Sequence, residues 1–406
     1  MNKQIKHRKG ALVLASAALV ATAIATTGCK KSNTLDIRYQ ESSASTKKVV
    51  EFLKTKPYKY NTSEAGFPNY LATCRARVKE TETVSPIPEP EQSLKNEDPV
   101  TEEGYLISSY NEEIKKLIDP KQANRQEVAD AIKEYKDFKY IVVDTTSGYQ
   151  TEYDFKTYYF VPTTNEYSRV IYFLHGGAYF KNISEKHLAS CYDLANKLNA
   201  KVYMPLYPIG PLYDANDCFQ FIDMLYQDIV TKEKGKEMII AGDSAGGGLA
   251  ISYSQFLYNR NLQKADEEKI PLPSARILFS PWCDLTMVNN EISSLEDKDV
   301  FLSSYGLREI GKIWAGAYDV KDYKISPKYG DLNDKIPTIT FHGSDEILFP
   351  DSKATAEKMA ANGARVRFVV GKGLFHIYPL FRTSPLILPE SDKAFDMIYD
   401  FVVDKK

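Results

Sequence analysis

Ser244 stands in the run Gly242-Asp243-Ser244-Ala245-Gly246, a G-x-S-x-G pattern between a short apolar stretch, residues 237–241, and a helical pattern over 247–258. A serine on such a strand-to-helix turn is exposed at the top of a sheet, where its hydroxyl can attack a carbonyl carbon. The flanking glycines allow the strained turn and the close approach of neighbouring chain. The first N–H groups of the new helix then point at the oxyanion that forms. Such a nucleophile needs a base, the base needs an orienting acid, and the oxyanion needs donors.

The chain has five histidines, His7, His175, His187, His342 and His376. His7 lies among the first residues, His175 precedes two glycines, His187 falls in a helical pattern and His342 ends a strand. His376 alone sits in a late loop, Gly371-Lys372-Gly373-Leu374-Phe375-His376-Ile377-Tyr378-Pro379, and is the candidate base. The loop after the strand expected over 336–341 offers three carboxylates for the acid: Asp345, Glu346 and Asp351. Donors are suggested by His175-Gly176-Gly177-Ala178-Tyr179, which follows the apolar run 170–174. The N–H groups of Gly176 and Gly177, with that of Ala245 behind the nucleophile, are the expected oxyanion hole.

Elements able to position these residues are readable along the chain. Strands are expected over 140–143 and 153–161, an antiparallel pair around Thr146-Ser147-Gly148 at one sheet edge. Others follow at 170–174, 201–205, 237–241, 275–279, 336–341 and 366–370, with helical patterns over 184–198, 214–230, 247–258 and 352–361 between them. Strands alternating with helices imply an α/β class with a mostly parallel central sheet and helices on both faces. Upstream, residues 105–118 and 126–135 have helical spacing, and with a short helix over 47–54 they make an N-terminal helical cap segment, 47–138. The helices 105–118 and 126–135 either form a lid or pack one edge of the catalytic domain, 139–406.

The first residues suggest export. Lys3, Lys6, Arg8 and Lys9 precede an apolar run over 11–25, which is too short to span a bilayer and has the length of a secretory core. Thr26-Thr27-Gly28-Cys29 follows, and resembles a bacterial lipoprotein cleavage box with Thr26 where an aliphatic residue is usual. Residues 1–28 are thus expected to be a signal peptide, Cys29 the site of lipidation, and the polar stretch 29–46 a tether. The remaining cysteines, Cys74, Cys191, Cys218 and Cys283, show neither C-x-x-C spacing nor histidine neighbours, so no metal site or cofactor is expected. With 52 basic against 54 acidic side chains, a net charge of −2, a nucleic-acid partner is not implied.

Together, His175-Gly176-Gly177, Gly242-Asp243-Ser244-Ala245-Gly246-Gly247, Ser280-Pro281-Trp282-Cys283-Asp284-Leu285 and the Gly373-Leu374-Phe375-His376 loop resemble the hormone-sensitive-lipase-like branch of the α/β-hydrolases, over residues 139–403. The order Ser244, acid, His376 is that of the α/β-hydrolases. Many members have a glycine at the strand end, the acid three residues later and a proline four residues beyond. Counted from Gly343 this register selects Glu346, with Pro350 in place, and leaves Asp345 one residue off as the alternative. The resemblance implies a serine carboxylesterase acting on short to medium acyl esters without a metal. It departs in having Glu where most members have Asp, and in the length of the segment ahead of the sheet. A non-catalytic binding protein on the same scaffold, or an acyltransferase, are the competing readings.

Overall fold

The computed structural model describes residues 35–56, 64–72, 74–75, 116–117, 128, 131–135, 139–144, 149–383 and 386–403 of the 406-residue chain. The organising element is a nine-stranded sheet in the order β1-β11-β10-β9-β8-β6-β7-β5-β2. Its strands are β1 (Leu35–Glu41), β2 (Lys133–Tyr135), β5 (Thr157–Phe160), β6 (Arg169–Leu174), β7 (Ala200–Pro205), β8 (Glu237–Asp243), β9 (Ala275–Phe279), β10 (Thr338–Gly343) and β11 (Val366–Lys372). Every pairing from β1 across to β7 is parallel, and β5 and β2 close the far edge antiparallel. This is the mostly parallel α/β sheet expected from the alternation of strands and helices. The central runs are apolar because both faces are covered: Val170 to Leu174 are wholly buried. A charge inside β9 survives because it is paired. Arg276 donates to Asp334 through Nη1 at 2.9 Å and Nη2 at 2.6 Å, and both side chains are fully buried.

The flanking helices are α1 (Ala44–Lys54), α2 (Glu185–Leu198), α3 (Ala215–Lys232), α4 (Ser244–Asn261), α5 (Ser304–Ala315), α6 (Phe349–Ala361) and α7 (Pro389–Val402). Helix α4 lies on β8, β6 and β9, whereas α2 and α7 pack on each other and on β7 and β10. Ser244 through Gln255 of α4 are all buried, as a helix against the sheet centre requires. Among the described residues, no helix is long and apolar enough to cross a membrane.

Three expectations need correction. Leu35–Glu41, inside the expected tether 29–46, is strand β1, paired in parallel with β11 from Leu35↔Val366 to Glu41↔Lys372. It carries no clear apolar alternation because the ladder is made by main chain while Ile37 and Tyr39 stay exposed. The strand expected over 153–161 is broken in two. Tyr149–Asp154 (β4) pairs with Lys139–Asp144 (β3) in a separate two-stranded sheet, and β5 joins the main sheet beside β7. The helix expected over 126–135 ends before β2, which pairs antiparallel with β5. The expected signal peptide 1–28, the expected lipidation site Cys29, Pro57, the expected turn 146–148 and most of the candidate helix 105–118 lie outside the described residues.

Helix α1 is not a detached lid element. Its cap Ser43 accepts a hydrogen bond from Thr46 N–H at 3.2 Å, and the buried Glu390 carboxylate at its N-terminus accepts from Thr46 Oγ1 at 2.9 Å. Tyr378, two residues beyond His376, donates to Gln40 at 2.7 Å, and Gln40 donates in turn to the Glu390 carbonyl. The N-terminal strand and helix are thereby fixed to the loop that carries His376.

Candidate active site

The nucleophile candidate is placed by a sharp junction: β8 ends at Asp243 and α4 begins at Ser244, whose φ is 50°. A left-handed serine costs on the order of 1–3 kcal/mol and persists only where its surroundings hold it. Part of that hold is a main-chain bond, Trp282 N–H to the Ser244 carbonyl at 2.8 Å. Gly246 is required by close approach, since a Cβ there would lie 2.1 Å from the Leu174 carbonyl oxygen and 2.3 Å from that of His175. The first turn of α4 therefore sits directly on the end of β6, beside the loop of the expected oxyanion donors.

The base and acid candidates meet. His376 Nδ1 lies 2.8 Å from Glu346 Oε2, with both side chains buried. Gly343 makes this possible, because a Cβ there would lie 2.3 Å from the Leu374 oxygen and 2.6 Å from the Phe375 oxygen. Asp345 N–H donates to the Leu374 carbonyl at 3.1 Å and Gly373 N–H to Ser344 Oγ at 2.8 Å, so the two loops are stitched together. Beyond His376, Ile377 N–H donates to Ser280 Oγ at 2.9 Å, two residues before the Trp282 that holds Ser244. Asp345 turns away, with Oδ2 3.0 Å from Lys54 Nζ and Oδ1 accepting from Ser344 at 2.8 Å. Burial by itself would raise the Glu346 carboxyl, but the imidazoles of His342 and His376 hold it below the ordinary glutamate range. An ionised carboxylate at Nδ1 keeps the proton there and leaves the lone pair on Nε2.

The oxyanion expectation is altered at one position. Gly176 gives its N–H to Asp243 Oδ1 at 2.8 Å and cannot also point it at a substrate. The chain then passes through Gly177, Ala178 and Tyr179 at φ of 115°, 51° and 62°, a strained run that reorients successive N–H groups. His175 braces the Gly176 carbonyl through Nδ1 at 2.7 Å, and its own carbonyl accepts from Tyr207 at 2.5 Å. Burial and the neighbouring His187 lower the His175 pKa to about 3, so that ring is neutral and its Nδ1–H is a donor. Asp243 also meets His187 Nε2 at 3.2 Å, while His187 Nδ1 accepts from Ser184 N–H at 2.8 Å. Burial would raise Asp243; His187 and the Gly176 N–H bring it below the ordinary aspartate value. Sequence reasoning missed both supports. Asp243 lay inside the motif with no role, and His187 read only as a helical residue.

A third missed residue is Asp299. It is buried and accepts from the N–H groups of Phe301 and Leu302, each at 2.9 Å, and of Ile347 at 2.8 Å, immediately after Glu346. Burial raises its pKa from 3.8 to about 7, against the pull of these donors and of His376. In the unfolded chain Asp299 ionises near 3.8, whereas the folded protein keeps the proton until about 7. Stability from this group is therefore full below the lower value and falls as pH rises through the window, by up to about 1.4 kcal/mol per pH unit. Asp299→Asn cannot titrate. The melting temperature of the natural protein minus that of Asp299→Asn is expected to shrink from about pH 4 to about pH 7.5, and a constant difference would refute the assignment.

A buried aromatic cluster packs against α4 one turn beyond Ser244, where a Cβ on Gly248 would lie 2.1 Å from the Trp282 carbonyl oxygen and 3.5 Å from the Tyr179 hydroxyl. Tyr179 stacks on Trp314 with centroids 4.3 Å apart and lies 5.7 Å from Trp282, whose indole N–H donates to the Asp284 carbonyl at 3.1 Å. Cys191, Cys218 and Cys283 are buried and form no disulfide.

A family model described as alpha/beta hydrolase fold matches residues 171–380. An esterase of Acinetobacter venetianus is 30% identical over 236 residues, covering 58% of this chain and 74% of that protein. An acetyl-hydrolase of Streptomyces hygroscopicus is 27% identical over 238 residues, 58% of this chain and 75% of that protein. The crystal structure of a hormone-sensitive lipase from a metagenome library superimposes with a TM-score of 0.57 at 20% identity, covering 90% of this chain and 99% of that one, a likeness of fold.

Proposed function

We propose a reaction that starts from an established premise: the chain belongs to the alpha/beta hydrolase family. It is an ester hydrolase, and the reading the site supports best is a serine carboxylesterase of the hormone-sensitive-lipase-like branch acting on short to medium acyl chains. The observation that carries the reading is the 2.8 Å contact between His376 and Glu346, buried at the same end of the sheet as the elbow serine.

In this mechanism Ser244 Oγ attacks the ester carbonyl carbon while His376 Nε2 takes its proton. Glu346, ionised, holds the imidazole tautomer and stabilises the imidazolium. The oxyanion rests on the N–H groups of Gly177 and Ala245, Gly176 being committed to Asp243. The tetrahedral intermediate collapses, and the alcohol leaves with the proton from His376. Water, deprotonated by His376, attacks the acyl-serine; the carboxylic acid departs and Ser244 is restored.

The substrates are small-molecule, carbohydrate or lipid esters outside the cell, since the chain is read as exported and held at the outer face of a bacterial membrane through acylated Cys29. One fractionation experiment tests activity and location together. Hydrolysis of p-nitrophenyl esters is expected to favour short chains and to sediment with membranes, and to move to the soluble fraction in Cys29→Ser. No turnover of any ester would favour a non-catalytic binding protein; activity that is soluble in both proteins would remove the anchor.

A further inference from the structure

The sequence set His342 aside because it ends a strand, and the structure puts it on the acid. One carboxylate lies between two imidazoles: Glu346 Oε2 is 2.8 Å from His376 Nδ1, and Oε1 is 3.4 Å from His342 Nδ1. All three side chains are essentially inaccessible to solvent. The 3.4 Å contact is longer than a formed hydrogen bond, yet among the described residues none makes a hydrogen bond to Oε1, and His342 is a polar group facing it. The His342 ring is itself held. It stacks on Phe368 with centroids 4.2 Å apart and planes 14° from parallel, meets Phe349 edge-on at 6.2 Å, and its Nε2 lies 2.7 Å from Thr340 Oγ1. Burial lowers its pKa against the attraction of Glu346, so the ring is neutral near pH 7 and acts as a dipole rather than a second cation.

A glutamate carries one more rotatable bond than an aspartate, so a single hydrogen bond from His376 leaves its carboxylate free to swing about that bond. We propose that His342 is a positioning residue for the reaction: it holds the outer oxygen of Glu346 so that the inner one stays on His376. The nearby charged or titratable groups are His376 and Tyr378 after β11 and Asp299 ahead of α5. Asp299 is committed to the N–H groups of Phe301, Leu302 and Ile347, and Tyr378 to Gln40, so neither serves Oε1.

This inference rests on the serine-hydrolase reading, and the test separates the two. Wild type is first labelled with a fluorophosphonate probe; no label on folded protein would remove the reading and this proposal together. Where wild type labels, fresh unlabelled enzyme is then assayed: His342→Phe keeps a ring to stack on Phe368 but has no N–H, and kcat is expected to fall about 10- to 100-fold, as for other outer partners of an oriented ligand. His342→Asn, whose amide nitrogen can stand near the place of Nδ1, should recover most of that loss. In a Glu346→Asp background the shorter acid does not reach His342, so His342→Phe should change kcat less than about twofold further. The proposal is overturned if His342→Phe stays within twofold of wild type, if His342→Asn is equally impaired, or if the loss is the same in both backgrounds. Should His342→Phe not fold, Thr340→Val reads the same support by releasing the other ring nitrogen: a several-fold lower kcat upholds the proposal and an unchanged one refutes it.

Discussion

Replacing Ser244 with alanine is expected to lower kcat by a factor on the order of 10⁴ or more while the protein remains folded. The size of the loss follows from its role, because without the hydroxyl no acyl-enzyme can form and only binding and oxyanion stabilisation remain. The fold should tolerate the change. Alanine is the smaller side chain, the strained φ of 50° is held by neighbours that stay in place, and the main-chain bond from Trp282 does not involve the side chain. Steady-state hydrolysis of a short p-nitrophenyl ester with circular dichroism of the same sample is the check. Retention of more than about one part in a hundred of the activity would remove Ser244 as the nucleophile.

Nearly as large an effect is expected from Glu346→Gln, and almost none from Asp345→Asn. Glutamine keeps the length of the acid but offers an amide where His376 Nδ1 needs an anion. The imidazolium of the transition state then loses its counter-charge and the tautomer its constraint, which by analogy with triad acids elsewhere costs roughly 10³- to 10⁴-fold in kcat. Asp345 faces Lys54 and Ser344 instead of the base. Breaking that partly exposed ion pair removes at most about 1 kcal/mol of stability and no catalytic contact. Activity within about twofold of wild type is expected for Asp345→Asn. Equal losses for the two variants, or the reverse order, would show that the acid has been assigned to the wrong register.

The parts of this protein legible in the sequence are those whose physics is local. Strands β6 and β8 carry short apolar runs because two layers of helix cover them, and the serine turn announces itself through the glycines that close approach demands. The acid register came from the resemblance, which sets the acid three residues after Gly343; the structure gives that glycine its reason, because the His376 loop crosses β10 there. What escaped depends on partners far along the chain. Strand β1 is held by backbone bonds to β11, more than 300 residues distant, with two of its larger apolar side chains in water. Asp243, His187, Asp299 and His342 are isolated polar letters until the fold buries them against N–H groups or carboxylates. Gly176 reads as a donor until Asp243 is seen to occupy it. Helices α5 and α7 are a different case, since Leu307, Ile310 and Trp314 have plain helical spacing that a strand-led reading passes over.

Strand β1 runs alongside β11 in the same direction, so Leu35 is level with Val366 at the start of that strand, while Ser244, Glu346 and His376 all follow strand C-termini. Leu35 thus lies at one end of the sheet and the reactive groups gather at the other. A leash or an immobilising resin attached at residue 35 would join the sheet at the end away from Ser244, Glu346 and His376.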